Sequence, residues 1–234
     1  MKIQAMLITL ALTLAVIVSC VCVSADGAKI TVSIANGTLV LTEAAVDVTD
    51  IDGDGALTIN DALIAAHTAY YTDGPDGYAA ANGDYGLAIT KLWGVENGGS
   101  YGYYVNNAAS MGLSDPVKDG DRLYAFIYTD TTAFSDMYTF FDKAAADVSE
   151  NGTLELVLSG AGYDENWNPV TLPVEGAVIT VNGEKTAFVT DKDGKVSVKL
   201  EKAGKYTVTV TIGNRNYELT GANSKDYEIT QKTM

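Results

Sequence analysis

KITVSIANGTLVL, Lys29 to Leu41, is the stretch whose alternation decides the fold class. Ile30, Val32 and Ile34 fall on one face of an extended chain, because successive strand side chains point to opposite sides. Leu39 and Leu41 resume the alternation after Asn36-Gly37. Asn-Gly between two alternating runs predicts a hairpin with a type I′ turn, which needs positive φ at both central residues. The second strand is expected to continue toward Val48.

The same texture returns further along the chain. Strand patterns occupy Tyr101 to Val105 and Arg122 to Tyr128, and Lys118-Asp119-Gly120-Asp121 between them reads as a tight turn. A second unit begins near residue 132. It holds Tyr138 to Val148, the turn Glu150-Asn151-Gly152 and the run Leu154, Leu156, Leu158. After a loop from Gly162 to Pro173 come four short strands, Ala177 to Val181, Thr186 to Thr190, Lys195 to Leu200 and Lys205 to Ile212. Turns at Asn182-Gly183, Asp191 to Gly194 and Ala203-Gly204 separate them. Short, evenly spaced strands with glycine-bearing turns predict a β-sandwich. The fold class expected is therefore mainly β (α+β). A small β domain over residues 26–131 precedes a sandwich over 132–221 and a polar, frayed tail over 222–234.

Composition narrows the function classes. The chain has 234 residues, a net charge of −15 and 47% hydrophobic residues. That apolar content is enough for a core. The acidity excludes nucleic acid and anionic membrane surfaces as expected partners.

Residues 1–25 have the layout of a signal peptide. Lys2 is the positive start, Met6 to Val18 the apolar stretch, and Val23-Ser24-Ala25 the small-residue cleavage site. A secreted or cell-surface location is expected. Ile17-Val18-Ser19-Cys20 also resembles a bacterial lipobox, in which Cys20 would carry lipid and tether the chain to a membrane. Both cysteines, Cys20 and Cys22, lie in this segment. Cleavage after Ala25 leaves no disulfide, so a structural metal is one candidate staple.

DIDGDGALTIND, Asp50 to Asp61, carries that metal chemistry. A calcium loop of the EF-hand type takes oxygen ligands from positions 1, 3, 5, 7, 9 and 12, with glycine at 6. Asp50, Asp52 and Asp54 supply the first three, and Gly55 the sharp turn. Ala56 would offer its main-chain carbonyl, Thr58 its hydroxyl or a bridging water, and Asp61 the closing carboxylate. Carboxylates this close repel one another until a cation intervenes. Calcium (Ca2+) is the expected ion. Aspartate at the closing position, shorter than the usual glutamate, lets magnesium (Mg2+) compete. Ile59, Leu63, Ala66 and Tyr70 follow at helical spacing. Residues 72–90 read as a loop with at most a short helix.

VTDIDGDGALTINDALIAAH, Val48 to His67, resembles one repeat of the bacterial dockerin module, with Asp61-Ala62-Leu63 opening the helix. Dockerins attach enzymes to polysaccharide-degrading assemblies by binding cohesins, and this resemblance implies polysaccharide catabolism as one role. They carry two repeats; here there is one, since Asp73 to Gly77 does not reproduce the ligand spacing, so cohesin is not the expected partner. The flanking elements LWG (Leu92 to Gly94), YGYYVNN (Tyr101 to Asn107) and VKDGDRLYAF (Val117 to Phe126) resemble the C-terminal domain shared by transcobalamin and intrinsic factor. That resemblance implies a β domain with the dockerin-like EF-hand inserted over about 47–90. Residues 150–213 resemble Ig-like or carboxypeptidase-regulatory-like modules through PVEGAVITVNG, TDKDGKV and AGKYTVTV. These imply a spacer or adhesion role.

Other candidates are weaker. Trp93, Tyr101, Tyr103, Tyr104 and Asn106 could form a stacking surface for a saccharide or a tetrapyrrole-like ligand, or could simply be sheet packing. His67, the single histidine, lacks the partners for zinc or nucleophilic chemistry. Asp164, Glu165 and Trp167 share a loop, and adjacent loop acids are usually solvated. Asp191 and Asp193 begin a metal pattern that Lys195 and Val196 do not continue. No catalytic constellation emerges, so the expectation is a calcium-binding interaction module and not an enzyme.

Overall fold

The structure is a computed structural model that describes residues 27–132, 136–166, 168–211 and 227–232. The expected signal peptide, the lipobox Cys20 and Trp167 lie outside these residues. The architecture is mainly β, as the alternating runs require.

In the first unit, β1 (Ala28–Asn36) and β2 (Thr38–Val48) form the expected hairpin. Its turn is tighter than a type I′ turn. Asn36 stays in the ladder opposite Thr38, and only Gly37, at φ 69°, takes the left-handed conformation. β1 also pairs in parallel with β7 (Arg122–Ile127), which pairs with β5 (Tyr101–Val105) and, through it, β6 (Ala108–Ala109). The order across the sheet is β2-β1-β7-β5-β6.

One face of this sheet presents Ile30, Val32, Ile34, Leu123 and Ala125, all nearly or fully buried. Helix α1 (Ile59–Tyr70) covers it with Ile59, Ala62, Leu63 and Ala66. Burying a leucine such as Leu63 stabilises the fold by about 1.5–3 kcal/mol. Thr58 caps the helix in a capping box, its hydroxyl accepting from the Asp61 N–H while the Asp61 carboxylate accepts from the Thr58 N–H.

Residues 72–90 are not simply a loop. After a 3-10 turn over Gly74–Gly77, β3 (Ala79–Gly83) and β4 (Gly86–Lys91) make a separate hairpin. Its Ala- and Gly-rich strands are mostly exposed, with Ile89 buried, so the sequence carries little amphipathic alternation there.

The second unit is two sheets around one core. One runs β11 (Pro169–Pro173), β10 (Thr153–Tyr163), β14 (Lys195–Lys199), with β8 (Thr139–Phe141) also on β10. The other runs β13 (Glu184–Val189), β12 (Val178–Val181), β15 (Lys205–Thr211), β16 (Tyr227–Lys232), β9 (Ala145–Ser149). Phe141, Leu156, Leu158 and Val198 from the first meet Ile179, Val208 and Val210 from the second. Asn182 and Gly183, at φ 53° and 83°, form the two-residue turn that Asn-Gly predicts. Two expectations need correcting. The supposed loop from Gly162 to Pro173 contains β11, and the supposed frayed tail contains β16, which pairs with β15 and β9.

An aromatic cluster joins the two units. Ala35, Tyr124 and Phe126, on the sheet face opposite α1, are buried with Tyr138 of the second unit. Tyr138 stacks on Tyr104 at 4.1 Å with the rings 12° apart, and its hydroxyl donates to Asn107 Oδ1 at 2.9 Å.

Candidate metal centre

Asp50, Asp52 and Asp54 sit in the connection from β2 to α1. Each offers a carboxylate oxygen, and these oxygens all lie within 4.8 Å of one another. Two glycines shape the turn, Gly53 at φ 77° and Gly55 at φ 88°, a region that side-chain-bearing residues rarely adopt. The turn aims its backbone N–H groups inward. Asp50 Oδ1 accepts from Gly53 N–H at 2.7 Å and from Asp54 N–H at 3.1 Å, and its Oδ2 accepts from Gly55 N–H at 2.9 Å. Asp54 Oδ1 accepts from Ala56 N–H at 2.8 Å. Among the described residues no lysine or arginine forms an ion pair with any of the three. Their mutual repulsion is met mainly by backbone dipoles.

Six residues in the loop are candidate ligands, and three converge. Asp61 is fully buried and not in the group. Its Oδ2 accepts from the Thr58 hydroxyl at 2.7 Å and the Thr58 N–H at 3.0 Å, and its Oδ1 from Ile51 N–H at 2.9 Å. Three of its roughly four lone-pair sites are thereby occupied. In this conformation it closes the loop as a helix cap, tying the first turn of α1 back to the start of the acidic segment. Thr58 is likewise buried in the cap, and Ala56 is half-buried at the inner edge.

Behind the loop the backbone is tied to the segment from Leu113 to Val117. Val117 N–H donates to Leu57 carbonyl at 2.8 Å, Ile59 N–H to Asp115 carbonyl at 3.0 Å, and Asn60 N–H to Leu113 carbonyl at 3.0 Å. Asp115 braces that segment, its carboxylate accepting from Met111 N–H at 2.8 Å and Gly112 N–H at 3.3 Å. Asn60 is a second contact that sequence reasoning missed. Its amide nitrogen lies 3.5 Å from Asp52 Oδ2, and its Oδ1 accepts from the Tyr78 hydroxyl at 2.9 Å. Burial, with Tyr103 and Asp61 nearby, raises the Tyr78 hydroxyl well above the ordinary phenol range. It therefore stays a proton donor to Asn60.

The aromatic residues expected to line one ligand surface are divided between two faces. Trp93 packs in the α1 core, 5.2 Å from His67 and 5.1 Å from Tyr71. Tyr101 and Tyr103 face the same core, and the Tyr101 hydroxyl lies 2.9 Å from the carbonyls of both Thr90 and Val95. Tyr104 points the other way, onto Tyr138. Asn106 is a structural clamp: its Nδ2 donates to Asp121 Oδ1 at 2.8 Å and its Oδ1 accepts from Arg122 N–H at 3.0 Å. Strand alternation accounts for the division.

The remaining acids form turns. Asp164 Oδ1 accepts from the backbones of Asn166 and Asn168, and Asp191 Oδ1 from those of Asp193 and Lys195. The Asn168 side chain and backbone hold Asp164 below the usual carboxylate range, as the Lys195 backbone does Asp191. Among the described residues no helix is long and apolar enough to cross a membrane. No protein-family model matches the chain, and no curated protein matches it.

Proposed function

We propose that this protein is a calcium-binding module whose ion holds the first β domain in shape for an extracellular interaction. The observation that carries the reading is the convergence of Asp50, Asp52 and Asp54 within 4.8 Å around a glycine-turned loop, with no ion pair to any of them among the described residues. An oxygen-only donor set of three carboxylates favours a hard divalent ion. The carboxylates keep lone pairs beyond those that the loop N–H groups occupy, so ion and loop turn are compatible. Ala56 carbonyl and Thr58 hydroxyl remain the proposed donors at positions 7 and 9. Asp61 would enter the coordination by giving up part of its cap.

The bonds from Leu57, Ile59 and Asn60 to residues 113–117 support a structural role for the ion. Ordering the acidic loop would order that segment too, and with it the connection into β7. The same bonds favour the domain-ordering reading over the polysaccharide-assembly one. The strip that pairs with the loop belongs to this chain's own β domain, and most of α1 is buried against it.

Thermal unfolding with and without calcium tests the proposal. With a dissociation constant of about 10 µM and about 1 mM calcium, binding stabilises the fold by roughly 2.7 kcal/mol. That corresponds to a Tm rise of several degrees. Asp52→Ala should abolish the rise. A Tm indifferent to calcium in the parent would contradict the reading.

A further inference from the structure

A cleft of about 510 Å³ lies where the two units meet. One wall is the β5–β6 hairpin, with Tyr104 and Asn107, and Met111 just after it; the other is β8, β10 and β11, with Phe140, Ala161 and Val170. The volume falls within the roughly 300–1,000 Å³ typical of small-molecule sites, which favour such interfaces.

The chemistry of the walls restricts what fits. Among the described residues none that lines the cleft is charged, in a chain whose net charge is −15. A charged ligand would lose hydration there and gain no counter-ion. Tyr104, Tyr138 and Phe140 form a run of near-parallel rings, with 4.1 Å between the first pair and 5.8 Å between the second. Tyr104 and Phe140 line the cleft, so a flat ring entering it would meet aromatic surface from both units. Met111, 91% exposed, stands at the rim with a flexible thioether that adapts to varied shapes. Asn107 and Thr171 put polar side chains on opposite walls; Asn107 Oδ1 accepts from Tyr138, and its Nδ2 has no partner among the described residues. We propose that this cleft binds an uncharged, flat, largely apolar small molecule that presents a hydrogen-bond acceptor to Asn107.

The probe is N-phenyl-1-naphthylamine, neutral, flat and brighter in apolar surroundings, titrated into the full chain in calcium-containing buffer. The cleft is filled from either wall by Ala109→Trp and by Thr171→Trp, both at exposed edge-strand positions. Tyr85→Trp, at the fully exposed β3–β4 turn, is the control. The expected result is saturable binding of one probe per chain, unchanged in the control and at least tenfold weaker in both cleft variants. Absence of saturable binding by the folded parent would overturn the proposal. So would undiminished binding in both cleft variants, which would put the probe elsewhere.

Discussion

The Leu57 carbonyl accepts the Val117 N–H at 2.8 Å, which fastens the acidic loop to a segment 60 residues further along the chain. This bond and its two neighbours give the loop a fixed back wall, so an ion bound in front would stiffen both. Asp115 holds the partner segment through Met111 and Gly112. Asp115→Ala should therefore destabilise the fold by about 1 kcal/mol. Calcium affinity should fall by no more than about fivefold, the equivalent of that energy. Urea unfolding and competition with a calcium chelator measure the two effects.

His67 is fully buried, with Nδ1 2.6 Å from the Leu63 carbonyl and Nε2 accepting the Trp93 N–H at 3.0 Å. This fixes the neutral Nδ1–H tautomer. Burial lowers its pKa, and the bond to Leu63 offsets part of that. The folded state thus binds its proton less readily than the unfolded chain, whose histidine titrates near 6.5. The contribution is fully present above about pH 6.5 and is lost as pH falls through the folded pKa. Urea unfolding at pH 7.5 and pH 5 should show the loss, and His67→Gln should lessen it. Trp93, whose backbone N–H makes that bond and whose ring lies 5.2 Å from the imidazole, should report the change in its fluorescence.

Glu43 and Arg122 form a half-buried ion pair on the sheet face opposite α1, with the Tyr124 hydroxyl 3.0 Å from Arg122 Nε. Glu43 also sits at φ 44° where β2 bulges, its N–H donating to Ser33 Oγ at 3.0 Å. Glu43→Gln leaves Arg122 without its counter-charge. The expected loss is about 1–2 kcal/mol, below that of a fully buried pair because solvent still reaches both groups. Chemical denaturation checks the value.

Leu63 is fully buried between α1 and the first sheet. Leu63→Ala should cost about 2–5 kcal/mol through lost burial and the cavity left behind. Thermal unfolding should show a lower Tm both with and without calcium, since the residue touches the core and not the proposed ion.

Much of the fold was legible because it rests on side-chain alternation. Ile30, Val32 and Ile34 announced β1, and Leu154, Leu156 and Leu158 announced β10. Helix α1 was legible from Ile59, Leu63 and Ala66. What escaped lacks that signature. β3 and β4 bury little, so Ala79 to Lys91 alternates weakly. Asn36 stayed in the ladder because the hairpin closed on Gly37 alone. Of the candidate site, the Asp50, Asp52, Asp54 and Gly55 spacing was readable, since each position follows from how alternate residues converge. The strip from Leu113 to Val117 was not, because main-chain bonds to it leave no mark on residue type. Nor was the covering of Tyr104 by Tyr138, which depends on how two distant segments meet.

The most direct test of the calcium reading is calorimetric titration of calcium into chelator-stripped protein, beside Asp54→Ala. The account predicts uptake of one calcium ion per chain, weaker binding of magnesium, and loss of both in the variant. A folded parent that takes up no calcium, or a variant that takes up as much as the parent, would contradict it.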